Sequence, residues 1–265
     1  MILKSNYVRE YTAEELIVVC LAREMKDAEL GIQGAATPFG AAAVQLARLT
    51  HAKGLMYYCM NGWDPQVYTL DRLADYIQTT QTSICVPDLE DMVSAMQRGK
   101  LDFEVVRPGQ IDQFGNLNNS VIGDHKKPEL RFPGAVGVPD TTCFVGRLIV
   151  YHPRHSTRVF VEKVDFVSSF GHPPGGAKKR KALGISGGGP RRVISNLGVF
   201  CFDEETGRIK LETIHPGVTM EELTANTGFD LMVSGEIPET EPPTEEQIEI
   251  LRTEIAPHGL RKIGY

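Results

Sequence analysis

The stretch AELGIQGAATPFGAAAVQLARLTHAKGLMYYCMNG, residues 28–62, constrains the fold more than any other part of the chain. Its beginning reads as a short strand near Leu30 entering a glycine loop at Gly31–Gly34. Phe39 to Leu49 reads as an alanine-rich helix whose small side chains allow close approach to a neighbour. Leu55–Cys59 is the next strand, and Asn61 and Gly62 end it in a tight turn. Strand, glycine loop, helix and strand in that order form a βαβ unit. Two strands joined through a helix run parallel, so the predicted class is α/β.

Further elements support one compact α/β unit. Thr12 with Glu15, Thr219 with Glu222, and Thr244 with Gln247 are spaced as capping boxes. In each, the hydroxyl takes a free N–H of the first turn and the carboxyl or amide reaches back. ELIVVCLAREM after Thr12 is a helix with an apolar side for a sheet. Another helix follows Asp88, with Asp88 and Asp91 at its positive end and Gly99 as its stop. Phe103–Val106 and FVGRLIVY read as strands, and ISNLGVFCFDEETGRIKLETIHP as two strands joined by a turn at 205–207. GHPPGGAKKRKALGISGGGPRR, residues 171–192, has no periodic pattern and is expected to be a functional loop. No repeat or linker interrupts the chain. The expectation is a single domain over residues 1–265, ending in a helical extension from about 219 to 265.

The 265 residues suffice for a full core, and 42% hydrophobic with 23% charged residues is ordinary globular composition. A net charge of −6 argues against nucleic acid or an acidic membrane as the main partner. No apolar run is long enough to span a bilayer, and an acidic pair follows the N-terminus too soon for a secretory signal. The five cysteines are dispersed and form no CxxC pair, which argues for a reducing, cytoplasmic setting and against structural zinc. His152 and His155 are separated by Pro153, which rules out a zinc-binding helix. No metal site is expected.

The candidate chemistry is spread along the chain. Gly31, Gln33 and Gly34, with Gly134 and Gly137, belong to loops that offer backbone N–H groups to an oxyanion. Neither loop has the spacing of a dinucleotide or nucleoside-triphosphate site. Cys59 stands where a thiolate would act, and a free cysteine is equally a small buried hydrophobe. Lys178 and Arg180, flanked by Lys179 and Lys181, share a flexible segment with His172. They read either as a phosphate clamp or as a solvated face.

The ordered set GQIDQFGNLNNSVIGD, KKPELRFPGAVG, FVEKVDFVSS, DEETGRIKL and HPGVTMEELTANTGFDL resembles the B (beta) subunit of the family I coenzyme A transferases. The layout is most similar to the glutaconate-type B subunit. The resemblance implies an open, mostly parallel sheet in a coenzyme-A-transferase-like three-layer fold. It implies an A (alpha) subunit partner in an α2β2 assembly, acyl-CoA thioesters as substrates and no tightly bound cofactor. It places Gln110, Asp112, Arg191 and Arg192 beside the glycine loops and basic residues as substrate or CoA contacts.

In transferases of this family, a strand-end glutamate followed by Ser or Asn and then Gly attacks the thioester. The resemblance places that glycine on Gly62, the Asn on Asn61 and the glutamate on Met60. A thioether cannot form the covalent acyl or thioester intermediate. Other members lacking the glutamate open a ring of a cyclic keto-acyl-CoA in steroid degradation, and ARLTHA, FVEKVDFVSSFG, RRVISNLGVF and HPGVT resemble that group. Another group decarboxylates a glutaconyl-type CoA and carries a cysteine near the lost position. Cys59 precedes that position by one residue, on the opposite strand face unless a bulge intervenes. The expected activity is hydrolysis or lysis of a C–C bond, with decarboxylation, CoA transfer and a noncatalytic supporting role as alternatives.

Overall fold

The computed structural model describes residues 8, 10–34, 37–59, 62–66, 69–70 and 76–260, without the side chains of 76–78. The chain divides into two compact units, one of Met1–Pro87 with Glu241–Tyr265 and the other of Asp88–Thr240.

The first unit contains the βαβ core. Helix α1 (Ala13–Arg23) is capped at Thr12 by both halves of the capping box. Strand β1 (Leu30–Gln33) leads to α2 (Pro38–Leu49), then β2 (Met56–Cys59), β3 (Gly62–Trp63) and α3 (Tyr76–Thr82). Leu30, Gly31 and Ile32 pair in parallel with Met56, Tyr57 and Tyr58, as the βαβ order predicts. Gly31–Gln33 are strand, not loop: β2 supplies ladder partners for Gly31 and Ile32, and that pairing prevails over glycine's preference for turns. Ile17, Val18, Leu21, Phe39, Val44, Leu46 and Tyr57 are fully buried and form this unit's core. Each contributes about 1.5–3 kcal/mol of hydrophobic stabilisation.

The second unit opens with α4 (Leu89–Gln97), followed by a glycine with positive φ at Gly99. β4 (Phe103–Val106), β5 (Gln110–Asp112), β6 (Leu117–Asn118), β7 (Val121–Gly123) and β8 (Pro128–Arg131) precede α5 (Val138–Phe144). β9 (Arg147–His152), β10 (Phe160–Val161), α6 (Gly176–Ala182), β11 (Pro190–Ser195), β12 (Gly198–Phe202), β13 (Ile209–Ile214) and α7 (Met220–Asn226) complete it. β4, β9 and β11 are parallel neighbours, extended by the antiparallel β12 and β13. β5 pairs with β6 and β10, and β7 with β8.

Two details differ from the sequence reading. The glycine-rich 171–192 stretch contains α6, because AKKRKA has helical propensity once Gly175 and Gly176 turn the chain at φ 100° and 59°. The segment read as two strands is three, since residues 196–197 turn the chain between β11 and β12. The expected turn at 205–207 joins β12 to β13, with Gly207 at φ 76°.

Glu104 is the anomaly of this unit's core. It lies in β4 opposite Leu148 and is buried. Burial raises its pKa to about 7, opposed only by a hydrogen bond with Thr141. The Thr141 hydroxyl favours the charged carboxylate, but burial outweighs that single bond and keeps the acid protonated well above the usual carboxylate range. Its Oε2 has no hydrogen-bond partner among the described residues. An acid neutral in the folded state and free to ionise when unfolded stabilises fully below pH 4.5, and that share is lost as pH rises to about 7. At about 1.4 kcal/mol per pKa unit the loss is on the order of 3 kcal/mol. Urea unfolding of Glu104→Leu is expected to show a stability gain over the natural chain that grows by this amount between pH 4.5 and pH 7.5. A gain independent of pH would contradict this account.

The C-terminal segment returns to the first unit. Helix α8 (Glu245–Ile250), capped by Thr244 and Gln247, continues into a π-turn over Leu251–Ile255. Arg252 holds both oxygens of Glu15, at 2.7 and 3.0 Å. Burial pushes the Glu15 carboxyl up, but Arg252 and the Thr12 N–H outweigh it and hold it below its ordinary value. The expected helical extension is thus distributed: α7 belongs to the second unit and α8 to the first. Among the described residues no helix is long and apolar enough to cross a membrane.

Candidate active site

The carboxyl ends of adjacent parallel strands are where open α/β sheets bind ligands. In the first unit, β1 and β2 end side by side, and their register brings Gln33 level with Cys59. β2 then returns as β3, with Tyr58 opposite Trp63 and Cys59 opposite Gly62. Only Met60 and Asn61 connect that last pair, and these two candidate residues lie outside the described residues.

The flanks of the turn are closely held. The Cys59 thiol is buried and donates to Gly62 O at 3.5 Å. A Cβ on Gly62 would run into the Ser83 side chain, 2.7 Å from its Cβ, so a larger residue here requires Ser83 to shift. Ser83 Oγ donates to Thr79 O at 2.7 Å, and Trp63 N–H donates to Cys85 O at 2.9 Å. Tyr58 and Trp63 meet edge to face, their centroids 5.6 Å apart.

From the other side, α2 contributes two polar residues. Gln45 donates to the Tyr57 hydroxyl at 2.9 Å. Arg48 lies 3.1 Å from Asp64 Oδ1, donates to Pro65 O at 2.8 Å and sits over the Tyr57 ring. Asp64 has φ 47°, and its N–H donates to Tyr57 O at 2.8 Å. Sequence reasoning missed Gln45 and Arg48. The signal was there: polar residues three apart on an otherwise apolar, buried helix require buried partners.

At the end of β1, Gln33 is half-buried and its Oε1 has no hydrogen-bond partner among the described residues. The Thr37 hydroxyl donates to Gly34 O and shapes the entry to α2. Gln33, Gly34, Cys59 and Gly62 thus lie at the carboxyl ends of β1 and β2 and the start of β3, whereas Gly31 is inside the sheet.

The remaining candidates lie in the second unit and hold loops. Gln110 donates to Asp165 at 2.8 Å and accepts from Asn118 at 2.7 Å. Asp112 accepts from Phe114 N–H, Asn116 N–H and Asn116 Nδ2. Burial raises its pKa, against the pull of those bonds. Gly134 spends its N–H on Asn119 O, and Gly137 precedes α5 with open space around it. The basic run is split: Lys178 is exposed, Arg191 is exposed, and Arg192 pairs with Glu212 at 2.7 Å. Arg180 is 2% exposed, and its guanidinium donates to the carbonyls of Phe170, Gly171, Thr142 and Gly187. Both terminal nitrogens of the Arg180 guanidinium are thus engaged by backbone carbonyls.

The sequence profile described as Coenzyme A transferase matches residues 75–226. The chain is 33% identical over 245 residues to the 3-oxoadipate CoA-transferase B subunit of Pseudomonas knackmussii, covering 91% of this chain and 92% of that one. The chain belongs to the coenzyme A transferase family. Within it, the cholesterol ring-cleaving hydrolase IpdB subunit of Rhodococcus jostii is 32% identical over 167 residues, 59% of this chain and 60% of that one. Among solved structures, the decarboxylase AibA/AibB superposes with a TM-score of 0.83 at 27% identity, covering 97% of this chain and all of that one. Family membership carries the α/β fold with its mostly parallel strands. This member is of the B-subunit type, and family members of this kind act on CoA thioesters.

Proposed function

We propose that this chain is the B subunit of a heteromeric enzyme that hydrolytically cleaves a C–C bond of a cyclic keto-acyl-CoA, with an A-type subunit in an α2β2 assembly. One observation carries the reading. The resemblance puts Met60, not a carboxylate, at the family's attacking position, and the next carboxylate along the chain, Asp64, lies against Arg48. A transferase needs that carboxylate to store the acyl group between two half-reactions. Hydrolysis does not. Water, deprotonated by a base, adds to the ring ketone, the C–C bond breaks with its electron pair forming the enolate of the thioester, and the enolate carbon takes up the proton held by the base. Enolate stabilisation requires donors at a strand edge, where the Gln33 side chain and the Gly34 region stand. The base belongs to the A-type partner, and the enzyme works without a tightly bound cofactor.

Decarboxylation is the second reading, favoured by the likeness to AibA/AibB, of which solved variants carry substitutions at a cysteine. Here Cys59 is the residue to examine.

The test is to co-purify the chain with its A-type partner and supply cyclic keto-acyl-CoA and glutaconyl-type CoA esters with labelled acetate. Ring-opened product without label in acetyl-CoA is the expected result. Rapid exchange into acetyl-CoA, with a hydroxylamine-trapped adduct, would establish a transferase and overturn the proposal; loss of carbon dioxide would establish the second reading. Turnover unaffected by removing this chain's strand-edge donor (Gln33→Ala) would leave it in a supporting role. Cys59→Ser is expected to retain most of the hydrolysis, whereas a hundredfold or greater loss would indicate that the thiol participates.

A further inference from the structure

We infer that Arg48 and Asp64 form a positioning latch that fixes the β2–β3 hairpin strands, residues 57–59 and 62–64, on either side of the proposed reacting position. The latch rests on that functional reading for its role but on geometry for its existence. Both side chains are largely buried, at 12% and 9% exposed, and their closest atoms are 3.1 Å apart, a charge contact rather than a hydrogen bond, since Asp64 Oδ1 accepts none among the described residues. The Arg48 nitrogen that meets Asp64 also donates to Pro65 O at 2.8 Å, so one guanidinium holds the chain at two successive residues.

Asp64 adopts φ 47°, a left-handed conformation that side chains avoid and that Asp tolerates better than most. That turn of the backbone lets its N–H extend the hairpin ladder to Tyr57 O while its carboxylate points back to α2. Tyr57, in the strand leading into the turn, is held by the same helix through Gln45 and lies under the Arg48 guanidinium at 5.7 Å. Two residues of one helix, Gln45 and Arg48, therefore grip both arms of the hairpin.

A surface ion pair would not need this arrangement. A buried one contributes little net stability compared with apolar residues but fixes geometry, because each charge tolerates only one partner position. Reacting groups displaced by about 1 Å lose up to a hundredfold in rate. Arg48 and Asp64 touch no reacting atoms; they act through the hairpin strands.

The chain's one tryptophan, Trp63, lies between Gly62 and Asp64 and reports on the latch. The full chain labelled with 5-fluorotryptophan, compared with Arg48→Met/Asp64→Asn, tests it. Removing both charges together leaves none buried alone, and Asn accepts the left-handed backbone. The expected result is an unfolding midpoint close to that of the natural chain, with a Trp63 fluorine resonance that is shifted and split or broadened. In the assembled complex kcat falls tenfold or more while KM stays within twofold. An unchanged, sharp resonance overturns the latch, whatever the activity; an altered resonance with unchanged kcat overturns its positioning role. Should the double variant fail to fold, Arg48→Lys, which keeps the charge but loses the planar fork, is read by the same two measurements. If the natural complex turns over no acyl-CoA, the functional reading fails while the resonance still decides the latch.

Discussion

Arg180→Ala is expected to destabilise the protein by about 3–5 kcal/mol, the scale for a large buried side chain whose loss leaves a cavity and several carbonyls without donors. At roughly 2–4 °C per kcal/mol for a domain of this size, the unfolding midpoint falls by about 6–20 °C. Arg180 ties the end of α5, the 170–171 segment and the entry to β11 to one guanidinium. Burial lowers its pKa, and its charge is compensated by carbonyl dipoles. Phe170 stacks at 5.6 Å, and a Cβ on Gly189 would come within 2.7 Å of the guanidinium carbon. Removing the side chain leaves a void and carbonyls without donors. Arg180→Lys is expected to cost nearly as much, since an ammonium cannot serve carbonyls on both sides of a planar fork. The exposed Lys178→Ala serves as the control and changes stability by less than about 0.5 kcal/mol. Calorimetry showing Arg180→Ala within two degrees of the natural chain would remove Arg180 from this role.

The second large effect is acid sensitivity from buried histidines. His155 lies between Ser195 and Thr227 at 2.9 and 3.1 Å and stacks on Phe160 at 3.6 Å. Thr227 spends its hydroxyl proton on Leu223 O, so it accepts from His155 Nε2–H, and Nδ1 accepts from Ser195. The ring is thus bonded as the neutral tautomer. His215 is held the same way, with Nε2–H on Ser195 O at 2.8 Å and Nδ1 on Thr240. Burial lowers the His155 pKa to about 3, with His152 adding to the effect, and burial lowers that of His215 to about 4. A histidine whose folded pKa is depressed contributes stability that is full above the unfolded value of 6.5. That stability drains as pH falls through 6.5 toward 3–4, because the unfolded chain takes up the protons. At about 1.4 kcal/mol per unit, each ring accounts for several kcal/mol over this window. Guanidinium unfolding from pH 7 to pH 4 is expected to show a steep loss, with His155→Gln flattening part of it. Stability that stays level across that range would refute the neutral-ring assignment.

These two sites also mark the boundary of what the sequence could reveal. The capping boxes at Thr12 and Thr244 and the turn at Gly207 follow from patterns closed within a few residues, and the parallel pairing of Leu30–Ile32 with Met56–Tyr58 from the strand–helix–strand order. Local hydrogen bonds and the periods of helix and strand specify them directly. The absence of a carboxylate at Met60 is likewise a fact of sequence alone. The fate of each polar residue was decided only by tertiary structure. In AKKRKA, the helical rotation of about 100° per residue separates Arg180 from its lysine neighbours, and packing alone turned that one residue inward. Gln110 and Asp112 match a site motif in sequence, yet their bonding capacity goes to Asp165, Asn118 and Asn116. Arg48 meets Asp64 across 16 positions, and His155 meets Ser195 across 40. No local pattern encodes partners so far apart, because a buried charge or ring is satisfied by whatever the packed core places beside it.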